Sequence, residues 1–388
     1  MTEVRRQTWF APVVTLAVAA LAWFYPDLLG ASDWPVFYLL FAYTVFFWVA
    51  QASSWNLFTG FSGYFSFGQG AFYGVGVYAI GVLVVKQGWS LLPTFLVAGL
   101  LATVLALFIG LVVFRLRRLR GEIFGLMTLA VAFVVGAVAR ISPTIDGGQG
   151  IPLSNVPVPE ALGDFPVMIF RLGLIVATLA VITAQFVQHS RLGWGLFAIR
   201  DDEDVAETLG VPTFRFKMIA FALTAFLAGL SGAVHSLQVS YVTIEEVFNI
   251  RVPLMVILMS ILGGTRHWMG PILGALVVHT MSDRLNRAGL VEISDLIIGG
   301  LLILMVLAVK EGIYLRMRRH PIATLVGAAA GTAVGFILGP LDSAVTHLAY
   351  VLLGAVLSAL FFGMWDRKRG AIDDAVPAPE AIEEVVGG

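Results

Sequence analysis

Residues Ser190–Lys217 read SRLGWGLFAIRDDEDVAETLGVPTFRFK. This is the longest strongly charged run inside an otherwise apolar chain, and long apolar segments lie on both sides of it. A charge placed in hydrocarbon costs about 2.5–3.5 kcal/mol or more, so the run belongs in water, held there by membrane helices. The 388 residues are 59% hydrophobic and 13% charged, with a mean hydropathy of +0.90. Soluble domains carry about 25% charged residues. The expected fold class is therefore all-α, a polytopic transmembrane helical bundle. The net charge of −1 marks no nucleic-acid partner, and none is expected. With no cysteine in the chain, disulfides, thiolate metal sites and cysteine nucleophiles are excluded.

Working outward, a membrane helix needs about 20 apolar residues. Candidate spans are Trp9–Leu29, Trp34–Trp55, Gly70–Val85, Leu91–Phe114, Ile123–Ala139, Pro166–Val187, Phe216–Leu237, Ser294–Val309, Ile322–Leu338 and Ala344–Trp365. Between Val252 and Met281 lie two shorter apolar pieces, broken by GGTRHWMGP. The expectation is about ten spans plus this broken pair, which enters and leaves on the outer side. Cation counts then place Arg5, Arg6, the cluster Arg115–Arg120, the run Arg191–Lys217, Lys310–Arg319 and Arg367–Arg369 on the cytoplasmic side. Both termini are expected there, with the first apolar stretch a retained helix. Lys86, Arg284 and Arg287 fall outside, as does the loop Ser142–Phe165. The acidic end, residues 366–388, is expected to be a disordered tail.

Asn56–Gly81 reads NLFTGFSGYFSFGQGAFYGVGVYAIG. Polar Asn56, Ser62, Ser66 and Gln69 alternate with Gly60, Gly63 and Gly68. Irregular backbone at membrane depth is tolerated where it is buried in protein or lines a cavity, and transporters place broken helices at the solute path. Close helix packing by small residues is the other reading.

Further on, Asp201–Leu209 forms a short helix. Acids cluster at its start, where they complement the helix dipole, and Gly210 ends it with Pro212 beyond. Val205, Ala206 and Leu209 give it an apolar edge suited to a groove on another protein.

These motifs occur in an order that resembles the permease subunits of branched-chain amino-acid ABC importers. Asn56, Gly60, Gly63, Ser66, Gly68 and Phe72 match an early N-x-x-x-G-x-x-G-x-x-S-x-G-x-x-x-F signature. LRGEIFGLMTLA (Leu119–Ala130) and DGGQGIP (Asp146–Pro152) follow in place. The most specific match is R-x-G-x-x-x-x-A-I-R-D-x-E, carried by Arg191, Gly193, Ala198, Ile199, Arg200, Asp201 and Glu203, then Ala206–Gly210 and Lys217. LGGTRHWMGPILGA (Leu262–Ala275) closes the series. One departure is Ile123, where the family usually has Tyr; the Thr265-Arg266-His267 triplet, Ile244-Glu245-Glu246 and Asn249-Ile250-Arg251 are others, expected near the outer end of the broken helices, at an outer gate.

The resemblance implies a permease core over residues 1–320, two additional helices over 321–365 and the tail. It implies import of leucine, isoleucine or valine across a bacterial-type plasma membrane. The partners would be two ATP-binding subunits, a second related permease, an extracytoplasmic solute-binding protein and the lipid bilayer. Asn56, Gly60, Ser62, Gly63, Ser66, Gly68 and Gln69 would line the path. Arg200, Asp201, Glu203, Ala206, Glu207 and Gly210 would couple to the ATPases, with Arg200 and Glu207 making polar contacts. Gly263, Gly264, Gly270 and Pro271 would form a broken-helix gate.

The chain has no G-x-x-x-x-G-K-[ST] loop, so ATP would be used by the partner subunits and no cofactor or metal is expected. No residue constellation points to catalysis, which argues against a membrane-embedded enzyme. Two other readings remain: a urea or short-amide ABC permease, and an ion-coupled secondary transporter. Few intramembrane acids speak for the latter.

Overall fold

The computed structural model describes residues 2–28, 36–115, 122–153, 156, 162–239, 241–287 and 312–319, with isolated positions 289, 296, 299, 300, 303 and 329. The expected spans Ser294–Val309, Ile322–Leu338 and Ala344–Trp365, and the tail, fall almost wholly outside the described residues. Met1–Ser260 with Thr265–Leu276 form one compact unit; Ile261–Gly264 with Val277–Gly388 form a second.

The first unit contains α1 (Thr2–Leu28), α2 (Val36–Trp55), α3 (Gln69–Ala79), α4 (Leu91–Val113), α5 (Glu122–Ile141), α6 (Phe165–Gln188), α7 (Arg191–Asp201), α8 (Glu203–Thr208), α9 (Thr213–Gln238) and α10 (Ile244–Val247). α11 (Arg251–Gly263) and α12 (Met269–Arg287) follow. Two-residue strands β1 (Ile151–Pro152) and β2 (Tyr241–Val242) pair antiparallel, Ile151 opposite Val242. Seven helices among the described residues are long and apolar enough to cross a membrane: Val36–Gly60, Gln69–Lys86, Leu91–Val113, Ile123–Ile141, Phe165–Gln188, Thr213–Gln238 and Ile244–Gly263. Phe10–Phe24 is a shorter apolar helix. The chain is thus a polytopic helical bundle.

Small residues let the central helices touch. A Cβ on Gly76 of α3 would lie 2.0 Å from the Gly229 carbonyl oxygen of α9, and one on Gly229 would lie 2.7 Å from Ala102 Cβ of α4. Such contact is how membrane helices gain packing energy when lipid tails are as apolar as their own side chains. Phe58, Phe124 and Phe221 are fully buried beside it, with Phe58 and Phe221 centroids 4.9 Å apart.

Hydrogen bonds fix the direction of each helix. Lys86 Nζ donates to the Ile145 carbonyl (2.7 Å), and Tyr78 Oη to Asp146 (3.3 Å). These define an Asp146 end. At the opposite, Arg200 end, Arg200 meets Gly60 and Thr265. α1 runs antiparallel to α6: Gln185 reaches Thr15 (2.8 Å) near the Arg200 end, while Arg171 lies 5.0 Å from the Trp23 ring nearer the other.

This geometry corrects one expectation. The break in Val252–Met281 is present, but it is not at the outer end of a pair that enters and leaves on one side. Ile244–Gly263 runs from the Asp146 end to the Arg200 end and turns there. Twenty residues at 1.5 Å each span about 30 Å of hydrocarbon. Glu245, Glu246 and Arg251 read as loop in the sequence because they are charged, yet they belong to its water-facing start.

In the second unit, α13 (Gly312–Arg319) begins against Gly264: a Cβ on Gly312 would lie 2.2 Å from Gly264 Cα. Arg287 pairs with Asp283 at 2.8 Å one turn back along α12.

Candidate functional site

At the Arg200 end the charged run folds into two capped helices. Ser190 Oγ accepts from the Gly193 amide (3.3 Å) to start α7. Asp202 then accepts from the amides of Asp204 and Val205, each at 3.0 Å, to start α8. Gly210, at φ +87°, ends α8, with the Val211 amide donating to the Ala206 carbonyl (3.0 Å). A Cβ at Gly210 would meet nothing within 4 Å, so backbone conformation alone calls for glycine there.

The two faces of these helices differ from the single apolar edge expected. Ala206 is buried, whereas Val205 and Leu209 are 52% and 79% exposed. Glu203, one turn before Ala206, turns inward with it. Its carboxylate pairs with Lys217 Nζ at 2.5 Å and accepts from the Tyr64 hydroxyl. Lys217 also donates to Tyr64 Oη (3.2 Å) and lies 4.6 Å above its ring. Both charged side chains are under 10% exposed. This knot joins α8, α9 and the segment between α2 and α3.

Arg200 likewise points inward rather than toward a partner. Its guanidinium donates to the Gly60 carbonyl and reaches Thr265 Oγ1 (3.4 Å). Burial first, then the charge of nearby Arg266, weakens its protonated form, while Asp201 favours it. A guanidinium keeps its proton in proteins, so this is a cost of holding the charge there. Asp201 and Arg266 face each other at 3.8 Å on the surface, and Glu207 is exposed. The Thr265-Arg266-His267 departure therefore lies beside the charged run, not at the opposite end of the bundle from it as expected.

The expected path residues meet in one place, and most already hold the backbone. α2 continues into a π-helical turn, Asn56–Gly60. Ser62 Oγ donates to the Phe58 carbonyl (2.7 Å), and Ser66 Oγ accepts from the Gly68 amide (3.1 Å). Gln69 Nε2 donates to Gln51 Oε1 (2.6 Å) and Ser54 Oγ (2.9 Å) inside the bundle. Gly63, at φ +76°, brings the chain against Arg200. Asn56 is the exception: it is fully buried, and neither amide atom meets a hydrogen-bond partner among the described residues. A buried polar group so placed costs about 1–3 kcal/mol, and π-helical turns recur at functional sites. Gly60 makes room for it, since a Cβ there would overlap Asn56 Oδ1 and come within 2.8 Å of the Thr265 carbonyl.

The glycines expected to form a gate lie at the turn between α11 and α12. Gly263 ends α11 and Gly264 takes φ +110°. The Gly270 amide donates to the His267 carbonyl (3.0 Å), and Pro271 sits in the first turn of α12, where its missing amide costs nothing. The Trp268 amide donates to Gln188 Oε1 (2.8 Å), tying the turn to α6. Among the described residues no three His, Asp or Glu side chains gather to hold a metal.

Sequence reasoning missed the inward turn of Arg200 and Glu203. A signal was present: Arg200 stands four residues after buried Leu196, and Glu203 three before Ala206, both on inward helical faces.

A multi-pass bundle with a capped, charged segment folded against two interrupted spans is the arrangement of a membrane permease that works with other components. The chain belongs to the family described as branched-chain amino acid transport system / permease component, whose model matches residues 37–306. It is 26% identical over 348 residues to the high-affinity branched-chain amino acid transport system permease protein LivM of Escherichia coli K12, covering 82% of this chain and 78% of that one. LivM of Salmonella typhimurium LT2 matches to the same extent. The autoinducer 2 import system permease protein LsrC of Enterobacter sp. 638 is 27% identical over 259 residues, 63% of this chain and 71% of that one. No solved structure matches. The protein is a multi-pass permease subunit of the bacterial inner membrane, and such a permease component works with ATPase and binding-protein partners.

Proposed function

We propose that this permease imports leucine, isoleucine or valine, delivered by an extracytoplasmic binding protein, between itself and a second related permease. Two separate ATPase subunits drive it; the chain has no ATPase site or cofactor of its own. Both termini, and the Arg200 end, face the cytoplasm. The permease core extends to about residue 320, with the last two helices and the tail added to it. The carrying observation is α8, which shows Val205 and Leu209 to solvent while Glu203 and Arg200 bind its base to the interrupted spans. A helix held this way transmits an outside push to the π-helical turn at Asn56 and the α11–α12 turn together. That supports alternation between inward- and outward-facing states biased by the ATPases.

The test replaces Leu209 by Asp, and separately Glu207 by Lys. Wild-type chain purified in mild detergent is expected to bring the ATPases and second permease with it and to support ATP-driven leucine uptake. Leu209→Asp is expected to insert normally and lose both. Full uptake by this variant, or recovery of an active chain without ATPase, would remove the reading. Urea transported in preference to leucine would change the solute but not the mechanism.

A further inference from the structure

The Asp146 end carries a cleft that ATPase coupling does not use. It lies between the last turns of α5 and the α10–α11 segment. Phe133, Phe248 and Ile250 give it apolar walls, and Arg140, Glu245 and Asn249 a polar rim. Its volume is about 500 Å³, within the roughly 300–1,000 Å³ of small-molecule sites. Arg140 and Glu245 pair across it. Their side chains are 53% and 67% exposed, so the pair is weak and easily parted.

A solute bringing its own carboxylate and ammonium exchanges that single contact for two. Its aliphatic body meanwhile covers the phenyl and isoleucine walls. Urea has no charge to offer either side chain. We infer that this cleft is a recognition site for a zwitterionic amino acid with an aliphatic side chain. Arg140 takes the carboxylate and Glu245 the ammonium. The inference rests on the importer reading and sharpens its solute class. A plain surface ion pair joining α5 to α10 would make the same contact without responding to solute.

The chain has no cysteine, so Ala137→Cys places a single thiol in it, at an exposed position on the α5 wall. The intact complex, purified with its partners and returned to proteoliposomes, is labelled there with a charged maleimide. Labelling is read on this chain by mass, with leucine, isocaproate, isoamylamine or urea present. Leucine at about ten times its dissociation constant is expected to slow labelling about tenfold, and the others to change it less than about twofold. Arg140→Gln and Glu245→Gln are each expected to abolish the protection, and Arg140→Lys to keep part of it. Three outcomes overturn the inference while leaving the importer reading intact. They are protection by urea, leucine protection that survives both neutral variants, and no leucine protection while ATP-driven leucine uptake proceeds. Absence of ATP-driven uptake by the wild-type complex removes both.

Discussion

Two ion pairs stand at opposite ends of one bundle. Lys217–Glu203 is sealed, its side chains 5% and 9% exposed, with Tyr64 bonded to both members. Arg140–Glu245 spans an open cleft and is mostly in water. The charges are of the same kind, so the difference lies in what replaces a lost partner. At the cleft, water does. At the sealed pair water is kept out, and the remaining charge sits beside the Phe114 and Tyr64 rings. One end is built to move as a block, and the other to let its charges part.

Substitutions test that contrast. The largest expected effect is Lys217→Met, which removes the cation paired with the buried Glu203 carboxylate and costs about 3–5 kcal/mol. It should appear as a lower unfolding temperature in detergent, and adding Glu203→Gln should recover much of it. A double variant as unstable as the single would mean the pair does not act as a unit. Next comes Arg200→Ala, which leaves the Gly60 carbonyl without its donor at about 1–3 kcal/mol. ATP hydrolysis should continue with solute uptake reduced; equal loss of both would assign Arg200 to folding alone. Gly210→Ala forces an alanine into a left-handed conformation at about 1–2 kcal/mol without any clash, and Gly210→Asn should be milder in the same uptake assay. Smallest is Arg140→Gln, where an exposed pair is worth about 0–1 kcal/mol. An unfolding shift as large as that of Lys217→Met would erase the distinction between the two ends.

Much of the bundle was legible because hydropathy and helix length are local properties. The spans Leu91–Val113 and Phe165–Gln188 start and stop within a residue or so of where apolar runs meet Ser90, Asp164 and His189. Ile244–Gly263 was misread for the same reason, since the charges at its start hid its first turns. The caps at Ser190 and Asp202 and the stop at Gly210 also follow from neighbouring residues. What could not be read were pairings between distant segments. Lys217 and Glu203 were both visible in the sequence, but only packing puts Tyr64 between them. Arg200 looked like a surface contact until Gly60 and Thr265 were brought to it from residues far away in the chain. The residues expected along the path lie in one segment of the chain. Their hydrogen bonds show that Ser62, Ser66 and Gln69 shape that segment, while among the described residues the Asn56 amide has no hydrogen-bond partner.

The π-helical turn at Asn56–Gly60 has a consequence for comparing members of the family. Such a turn accommodates one residue more than regular α-helix, and one residue of α-helix is a rotation of about 100°. Deleting one residue there lets the turn close to regular α-helix without rotating α2, so Tyr43 stays against His235 and Ser54 against Thr224, whereas a deletion elsewhere in α2 would swing the residues before it about the axis. Relatives that lack the turn should therefore show a one-residue gap at this point, with the lipid-facing and protein-facing stripes of α2 unchanged on either side of it. A gap elsewhere in α2 would require those stripes to be rewritten.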